Sequence, residues 1–556
     1  MRVRSSGDDV FDAVVVGSGF GGSVMAYRLA KAKLDVCLLE RGKPWPPGSF
    51  PRTPFQLSQG LWDPSNGRYG LYDVWSFGGL GALVSSGLGG GSLIYANVIL
   101  EKPESWFDGG DGAEWPISYD DLWPHYEAVQ PFLSPVPYPE YLRCETPKTH
   151  AFYNAADSLA LDPFYPPLAV TFADAGEEPG TPFGDPAENL HGAKRYTCRL
   201  VGECDIGCNF GSKNSLDFTF LSEAHRLGLE ICCRHEVKAF EPYQGGYRIE
   251  VADHSNAEEG LPHKPGRSCT ECRPCARPPD RRVIFTKRLI LSAGALGSTY
   301  LLMRNRSAFP NLSPALGTRF SGNGDFVAFA ARSPTPTEPS RGPVITAAVR
   351  VDGARGHFIE DGGYPDFLAW VGEMIALPRI AWAGRRTALK VAWGKLSGHP
   401  DSNLSGEAAE LLGSPRLAGG TLPLLGMGRE PAQGRMRLRN GLLDVEWSFP
   451  EAKAYLDRVR STVRDIAQQL GAEFEDNVLW RLNASITAHP LGGCPMGTTR
   501  REGVVSPENG EVYGYPRLHV ADGSVMPGSV GANPSFTIAA VANRFADAIL
   551  AEEEGL

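Results

Sequence analysis

Residues Phe11 to Val16 make the first sustained apolar run, and their β-branched content predicts a short buried strand. Gly17-Ser18-Gly19-Phe20-Gly21-Gly22 follows as a tight turn into the helical pattern Ser23 to Ala32, and Leu34 to Glu40 predicts a second strand. From Gly78 to Asn97 the chain reads GGLGALVSSGLGGGSLIYAN, where repeated glycines exclude an ordinary amphipathic helix before Ser92 and predict close-packed loop. WPISYDDLWPHY at 115–126 reads as a turn into a helix, inside a stretch rich in Pro, Trp and Tyr that runs from 104 to 187. Helix and strand alternate again over 211–245, and Arg282 to Leu302 predicts strand, Gly-rich turn and helix. Between about 320 and 480 apolar and aromatic segments are cut by Gly and Pro, an irregular pattern suited to a lobe that shapes a pocket. No fixed-period repeat occurs, and the one biased tract is a polar, Cys-bearing insertion near 254–281.

The first unit changes the picture from fold to chemistry. Strand, turn, helix and strand carry glycines at 17, 19 and 22 and an acid at Glu40, as a dinucleotide-binding fold requires. Gly17 and Gly19, with Phe20 in the same turn, let the backbone meet a pyrophosphate; the helix N-terminus offers unpaired N–H groups, and Glu40 accepts ribose hydroxyls. A tight strand–helix turn without a ligand is the plain alternative, and this unit alone does not separate FAD from NAD.

The chain has 556 residues, too many for one hydrophobic core, with 42% apolar residues and a net charge of −10. The absence of a long basic tract argues against nucleic acid as a partner. No apolar run has the length of a transmembrane segment and Met1 to Val10 is polar, so a soluble, cytoplasmic protein is expected. The 11 cysteines crowd into groups rather than spreading as a disulfide framework. Cys198, Cys204 and Cys208 lie at C-x5-C-x3-C spacing, and Cys269, Cys272 and Cys275 at C-x2-C-x2-C. Either set suits a metal, an iron–sulfur centre or plain reduced thiols. Cys37 and Cys494 read as packing residues.

HPLGGCPMG at 489–497 and LHVADGSVMPGSVGANPSFTIAAVANRFADAI at 518–549 resemble the glucose–methanol–choline (GMC) oxidoreductases, and within them the cholesterol oxidases. GLGGGSL at 87–93, WPISYDDL, GSKNSLDFTFL at 211–221 and SAGALGSTYLL at 292–302 match in the same order. The resemblance implies a Rossmann-type FAD-binding domain built from discontinuous segments, 1–104, 188–319 and 485–556. A mixed α+β substrate-binding domain would come from 105–187 and 320–484. It implies oxidation of an alcohol to a carbonyl by hydride transfer to flavin N5, with a sterol or other bulky alcohol as substrate and oxygen or a partner protein as acceptor.

By the same resemblance His489 and Asn533 flank the reacting carbon. His489 has the chemistry of a base, since imidazole titrates near working pH, and Asn533 that of an orienting group. Gly89, Gly90, Gly91, Ser92, Asn97, Asp522, Gly523 and Pro534 would meet the flavin and its pyrophosphate, and Val237 the adenine end. Tyr95 stands where cholesterol oxidases carry Asn, with Asn97 two residues on, and no histidine precedes His125, so FAD is expected to be non-covalent. The cysteine spacing at 198–208 resembles the cluster loop of dehydrogenase relatives. An iron–sulfur alcohol or sugar dehydrogenase is thus one alternative, and a flavin-binding electron-transfer protein without catalysis is another.

Overall fold

The computed structural model describes residues 10–52, 56, 60–109, 114–257, 259, 279–353, 356–365 and 420–554. Its larger sheet runs in the order Glu230–Cys233, Val36–Glu40, Phe11–Val16, Asp280–Leu291, Gly246–Asp253, His235–Tyr243, with Leu518–Val520 also pairing to Asp280–Leu291. Phe11–Val16 lies parallel to both neighbours, and Leu518–Val520 is parallel to residues 289–291. The first half of Asp280–Leu291 instead pairs antiparallel with Gly246–Asp253. Parallel strands are covered on both faces, which is why they read as continuous apolar runs: Val14, Val15, Leu38, Leu289 and Ile290 are all fully buried. The helices Phe20–Lys31 and Ser535–Glu554 pack together and share this core.

The second sheet is antiparallel and five-stranded, ordered Ala348–Val351, His357–Asp361, Leu422–Gly428, Phe326–Ala331, Glu473–Asp476. The helix Phe449–Gln469 packs on it through Ala452, Leu456, Val459, Val463 and Ile466, together with Phe326, Ile359 and Leu424. Each such side chain contributes roughly 1.5–3 kcal/mol on full burial. The irregular pattern over 320–480 thus folds, in its described parts, into regular sheet and helix. The turn-forming residues lie between elements whose pairing partners are distant in sequence.

The loop expected over 78–97 also needs correction. Tyr72–Phe77 and Leu80–Ser85 form an antiparallel hairpin across Gly78-Gly79, with Gly79 at φ 91°, and Ser485–Thr487 adds alongside in parallel. From Ser86 to Asn97 the expected loop does form, with Gly87 to Gly91 in a turn and the short 3-10 helix Gly90–Leu93. WPISYDDL does enter a helix, Tyr119–Leu133, capped where Ser118 Oγ accepts from Asp121 N and Asp121 accepts from Ser118 N. Among the described residues no helix is long and apolar enough to cross a membrane.

Candidate active site

A cavity of about 760 Å³ opens at the carboxyl ends of the parallel strands, where Val16, Leu39, Glu40 and Ser292 line it. Of the residues expected at a cofactor, Gly17, Gly19, Phe20, Glu40, Gly90, Gly91, Val237, Asp522, Gly523 and Pro534 reach this cavity. His489 and Asn533 line it too. Four others stand behind the lining. A Cβ on Gly22 would sit 2.0 Å from Gly17 O, so that glycine serves packing. Ser92 Oγ donates to Gly89 O and accepts from Leu216 N, holding the Gly89 turn. Asn97 is fully buried at φ 69° and its amide finds no protein partner.

The donor set fits a dinucleotide. A Cβ added at Gly19 or Gly91 would meet no protein atom within 4 Å, so both backbones face open space. At Gly17 it would lie 2.2 Å from Ser292 O, which fixes the turn against the neighbouring strand. Glu40 is buried; its carboxylate accepts from Ser18 N, Ser18 Oγ and Gly42 N, leaving acceptor capacity on the cavity side. Asp522 accepts from Gly294 N, Ser298 Oγ and Ser524 N, tying together two turns of the lining, and burial raises its pKa. The helix N-termini at Phe20 and Ser535 both open here, presenting N–H groups and positive dipole ends.

At the other end His489 follows the strand Ser485–Thr487, and its own N–H donates to Thr487 Oγ1 at 2.8 Å. Its Nδ1 lies 2.8 Å from Asp325 Oδ1, while Asp325 Oδ2 accepts from Thr487 Oγ1 and Ala488 N, each at 2.9 Å. A carboxylate only accepts, so Nδ1 carries the proton and Nε2 is left with a lone pair. Burial pulls the imidazole pKa down, but the charge and hydrogen bond of Asp325, helped by the farther Asp205, outweigh it and the net direction is up.

Asn533 Nδ2 donates to Glu360 Oε2 at 3.4 Å, and Asn533 Oδ1 and Glu360 Oε1 are buried without protein partners. Burial pushes the Glu360 carboxyl up to about 8, against the Asn533 hydrogen bond and the nearby His489, so it is mainly neutral at pH 7. One loop serves both flanking residues. Asn323 bonds Gly531 N and Ala532 O just before Asn533, and Asp325 holds His489. Glu430, fully enclosed, accepts from Ser321 Oγ and the amides of Gly322 and Gly324, fixing that loop. Asp325, Glu360 and Glu430 escape sequence reasoning because no local motif marks them.

Of the alternatives for Cys198, Cys204 and Cys208, the metal or iron–sulfur centre finds no support in the geometry. Among the described residues no three His, Cys, Asp or Glu side chains are placed to hold a metal. Cys204 packs in an apolar cluster with Val98, Val344 and Ile345, against which Cys198 also lies, and the Cys208 sulfur accepts from Ser212 N. Burial raises the pKa of the Cys198 and Cys204 thiols, favouring the protonated form that ligates poorly. Spacing placed these cysteines on one loop, but the loop turns two of them into the core. Cys269, Cys272 and Cys275 lie outside the described residues.

Comparison with known proteins agrees with this geometry. A family model for GMC oxidoreductase matches residues 432–542, and one for an NAD(P)-binding Rossmann-like domain matches residues 15–44. A cholesterol oxidase of Acinetobacter baumannii is 27% identical over 552 residues, covering 96% of this chain and 93% of that protein. The long-chain-alcohol oxidase FAO4B of Arabidopsis thaliana is 23% identical over 600 residues, 97% of this chain and 68% of that protein. Among solved structures, pyridoxine 4-oxidase from Mesorbium loti shares the fold with a TM-score of 0.56 at 17% identity, covering 97% of this chain and 98% of that one.

Proposed function

We propose that this chain is a GMC oxidoreductase, a flavoenzyme acting on CH–OH groups, and that it oxidises a bulky alcohol of the sterol or long-chain kind, with oxygen as acceptor. The observation that carries the reading is the pairing of His489 Nδ1 with Asp325 while His489 and Asn533 line one cavity with the dinucleotide turn. Gly17, Gly19, Gly91, Glu40 and the two helix N-termini would hold FAD without a covalent link. Bound there, FAD supplies the two-electron acceptor at N5.

The chain's own residues do the rest. His489 Nε2 takes the hydroxyl proton as the carbon–hydrogen bond breaks, and Asp325 stabilises the imidazolium that results. Asn533, steadied by Glu360 and by Asn323 behind it, orients the hydroxyl oxygen through its free Oδ1 or Nδ2. Val98, Val327, Val344, Ile345, Pro423 and Leu425 line the chamber and exclude water around an apolar frame.

The test is anaerobic bleaching of the flavin absorption by a panel of sterols and aliphatic alcohols, with His489→Ala alongside. Wild type should bleach, and H489A should slow bleaching about a hundredfold or more while keeping its flavin. An unchanged rate in H489A, or no bleaching by any alcohol, would remove the reading.

A further inference from the structure

The loop that carries Cys204 contributes a charged group to the cavity. Asp205 sits in the short turn Cys204–Ile206, whose backbone is pinned from several sides. Lys213 Nζ donates to Cys204 O at 2.9 Å, the Tyr72 hydroxyl to Asp205 O at 3.1 Å, and Arg52 to Ile206 O and Gly207 O at 3.3 and 2.6 Å. Arg52 is itself paired with Glu203 at 2.8 Å. A turn fixed this way presents its side chain in one place.

That side chain lines the cavity shared by His489 and Asn533 and is exposed to it. Among the described residues its carboxylate has no hydrogen-bond or ion-pair partner. The nearby Lys213 directs its ammonium to three carbonyls, those of Leu93, Tyr95 and Cys204, rather than to Asp205. Val344 and Ile345, of the same cluster as Cys204, and Val98 form the apolar wall beside it. Partial desolvation within the cavity lifts its pKa to about 6 while Lys213 and His489 pull it back, so the group is mainly ionised near neutral pH. Exposed to the chamber and held by no protein group, the carboxylate is open to pairing with a cation that enters beside the apolar wall.

We propose that Asp205 is a specificity-determining residue that receives a protonated amine of the substrate. The substrate class is an amino alcohol, with its hydroxyl at His489, its ammonium at Asp205 and an apolar frame between. This rests on the alcohol-oxidation reading above and narrows it. A neutral alcohol would leave the carboxylate to water, whereas an ammonium would pair with it, so among bulky alcohols the chamber favours the aminated one.

The experiment compares two matched series with the holoenzyme, 1-alkanols from propanol to decanol and the ω-amino-1-alkanols of the same lengths, by anaerobic flavin reduction near neutral pH. At the chain length that spans His489 to Asp205, the amino alcohol should show a kcat/KM about tenfold or more above its alkanol. Asp205→Asn should abolish that ratio and Asp205→Glu should keep part of it. Equal kcat/KM in the two series at every length, or a preference that survives D205N, overturns the proposal. A binding arm separates this from failure of the oxidation reading: n-alkylamines, which cannot be oxidised as alcohols, are titrated against the flavin spectrum. An apparent Kd that rises about tenfold in D205N supports the ammonium site even if no alcohol bleaches the flavin, in which case the oxidation reading alone falls. Alkylamines that fail to bind, or bind both forms alike, overturn the site.

Discussion

Replacing Asp325 by Asn tests the proposed chemistry most sharply, because the two side chains have the same shape and differ in what they accept. Three donors converge on Asp325: His489 Nδ1–H on Oδ1, and Ala488 N–H with the Thr487 hydroxyl on Oδ2. Asparagine has one acceptor oxygen. The Thr487 hydroxyl has a second acceptor in Gly322 O at 3.0 Å, but the Ala488 amide proton is fixed by the backbone. The amide oxygen must therefore turn to Ala488, and its NH2 group then faces His489 Nδ1. That reverses the imidazole tautomer: Nδ1 becomes the acceptor and Nε2 acquires the proton, so it has no lone pair for the substrate hydroxyl. General-base assistance contributes about 10²–10⁴-fold, and a base held in the wrong tautomer loses most of it. Anaerobic stopped-flow reduction of the flavin, with the alcohol that reduces wild type fastest, should slow by about a thousandfold in D325N. The pH profile adds a second readout. In wild type the neutral imidazole is the active form and Asp325 raises its pKa, so the rate should climb with pH through a value above the ordinary 6.5. In D325N burial remains without the adjacent anion, and any residual limb should move to lower pH. A D325N enzyme that keeps its rate and its acid limb would refute the tautomer reasoning.

The dinucleotide turn makes a paired prediction. Gly17→Ala puts a Cβ 2.2 Å from Ser292 O at φ 100° and should yield poorly folded protein, whereas Gly19→Ala projects into open cavity and should fold but purify with little flavin, as circular dichroism and absorption would record. Glu360 is protonated in the folded protein up to about pH 8 but ionises near 4.5 when unfolded, so the folded state holds a proton over that window and stability declines as pH rises through it. Thermal melting against pH should show a shallower decline for Glu360→Gln; a parallel curve would contradict the raised pKa. Lys148 and Asp361 form a fully buried pair at 2.6 Å, with Asp361 also accepting from the Thr346 and Ala347 amides. Lys148→Ala leaves that carboxylate uncompensated and should cost about 3–5 kcal/mol, read as a lower flavin-release temperature.

The parts of the site legible in the sequence are those whose meaning is local. The turn at Gly17–Gly22 and the acid at Glu40 belong to one contiguous unit, and His489 and Asn533 sit in runs whose spacing is itself informative. Asp325 has no such signal: it reaches His489 because the residues before the strand Phe326–Ala331 lie beside those after Ser485–Thr487, a pairing no window of sequence displays. Glu360 is one of two adjacent acids on a strand, and only the fold shows that one meets Asn533 and the other Lys148. The helix Phe449–Gln469 is different, since its apolar residues at 452, 456, 459, 463 and 466 do follow helical spacing. Surrounding glycines and prolines masked a periodicity that was present.

The pairing of Leu80–Ser85 with Ser485–Thr487, and of residues 289–291 with Leu518–Val520, has a consequence for biosynthesis. Each joins segments far apart in the sequence, and strands with distant partners close late because the intervening chain must first be ordered. The nascent enzyme can shape its first strand–helix unit, yet the seat for the nucleotide has no far wall until Asp522 and Gly523 arrive. Until those pairings form, the open edges of Leu80–Ser85 and Asp280–Leu291 are surfaces through which the incomplete fold is exposed to aggregation.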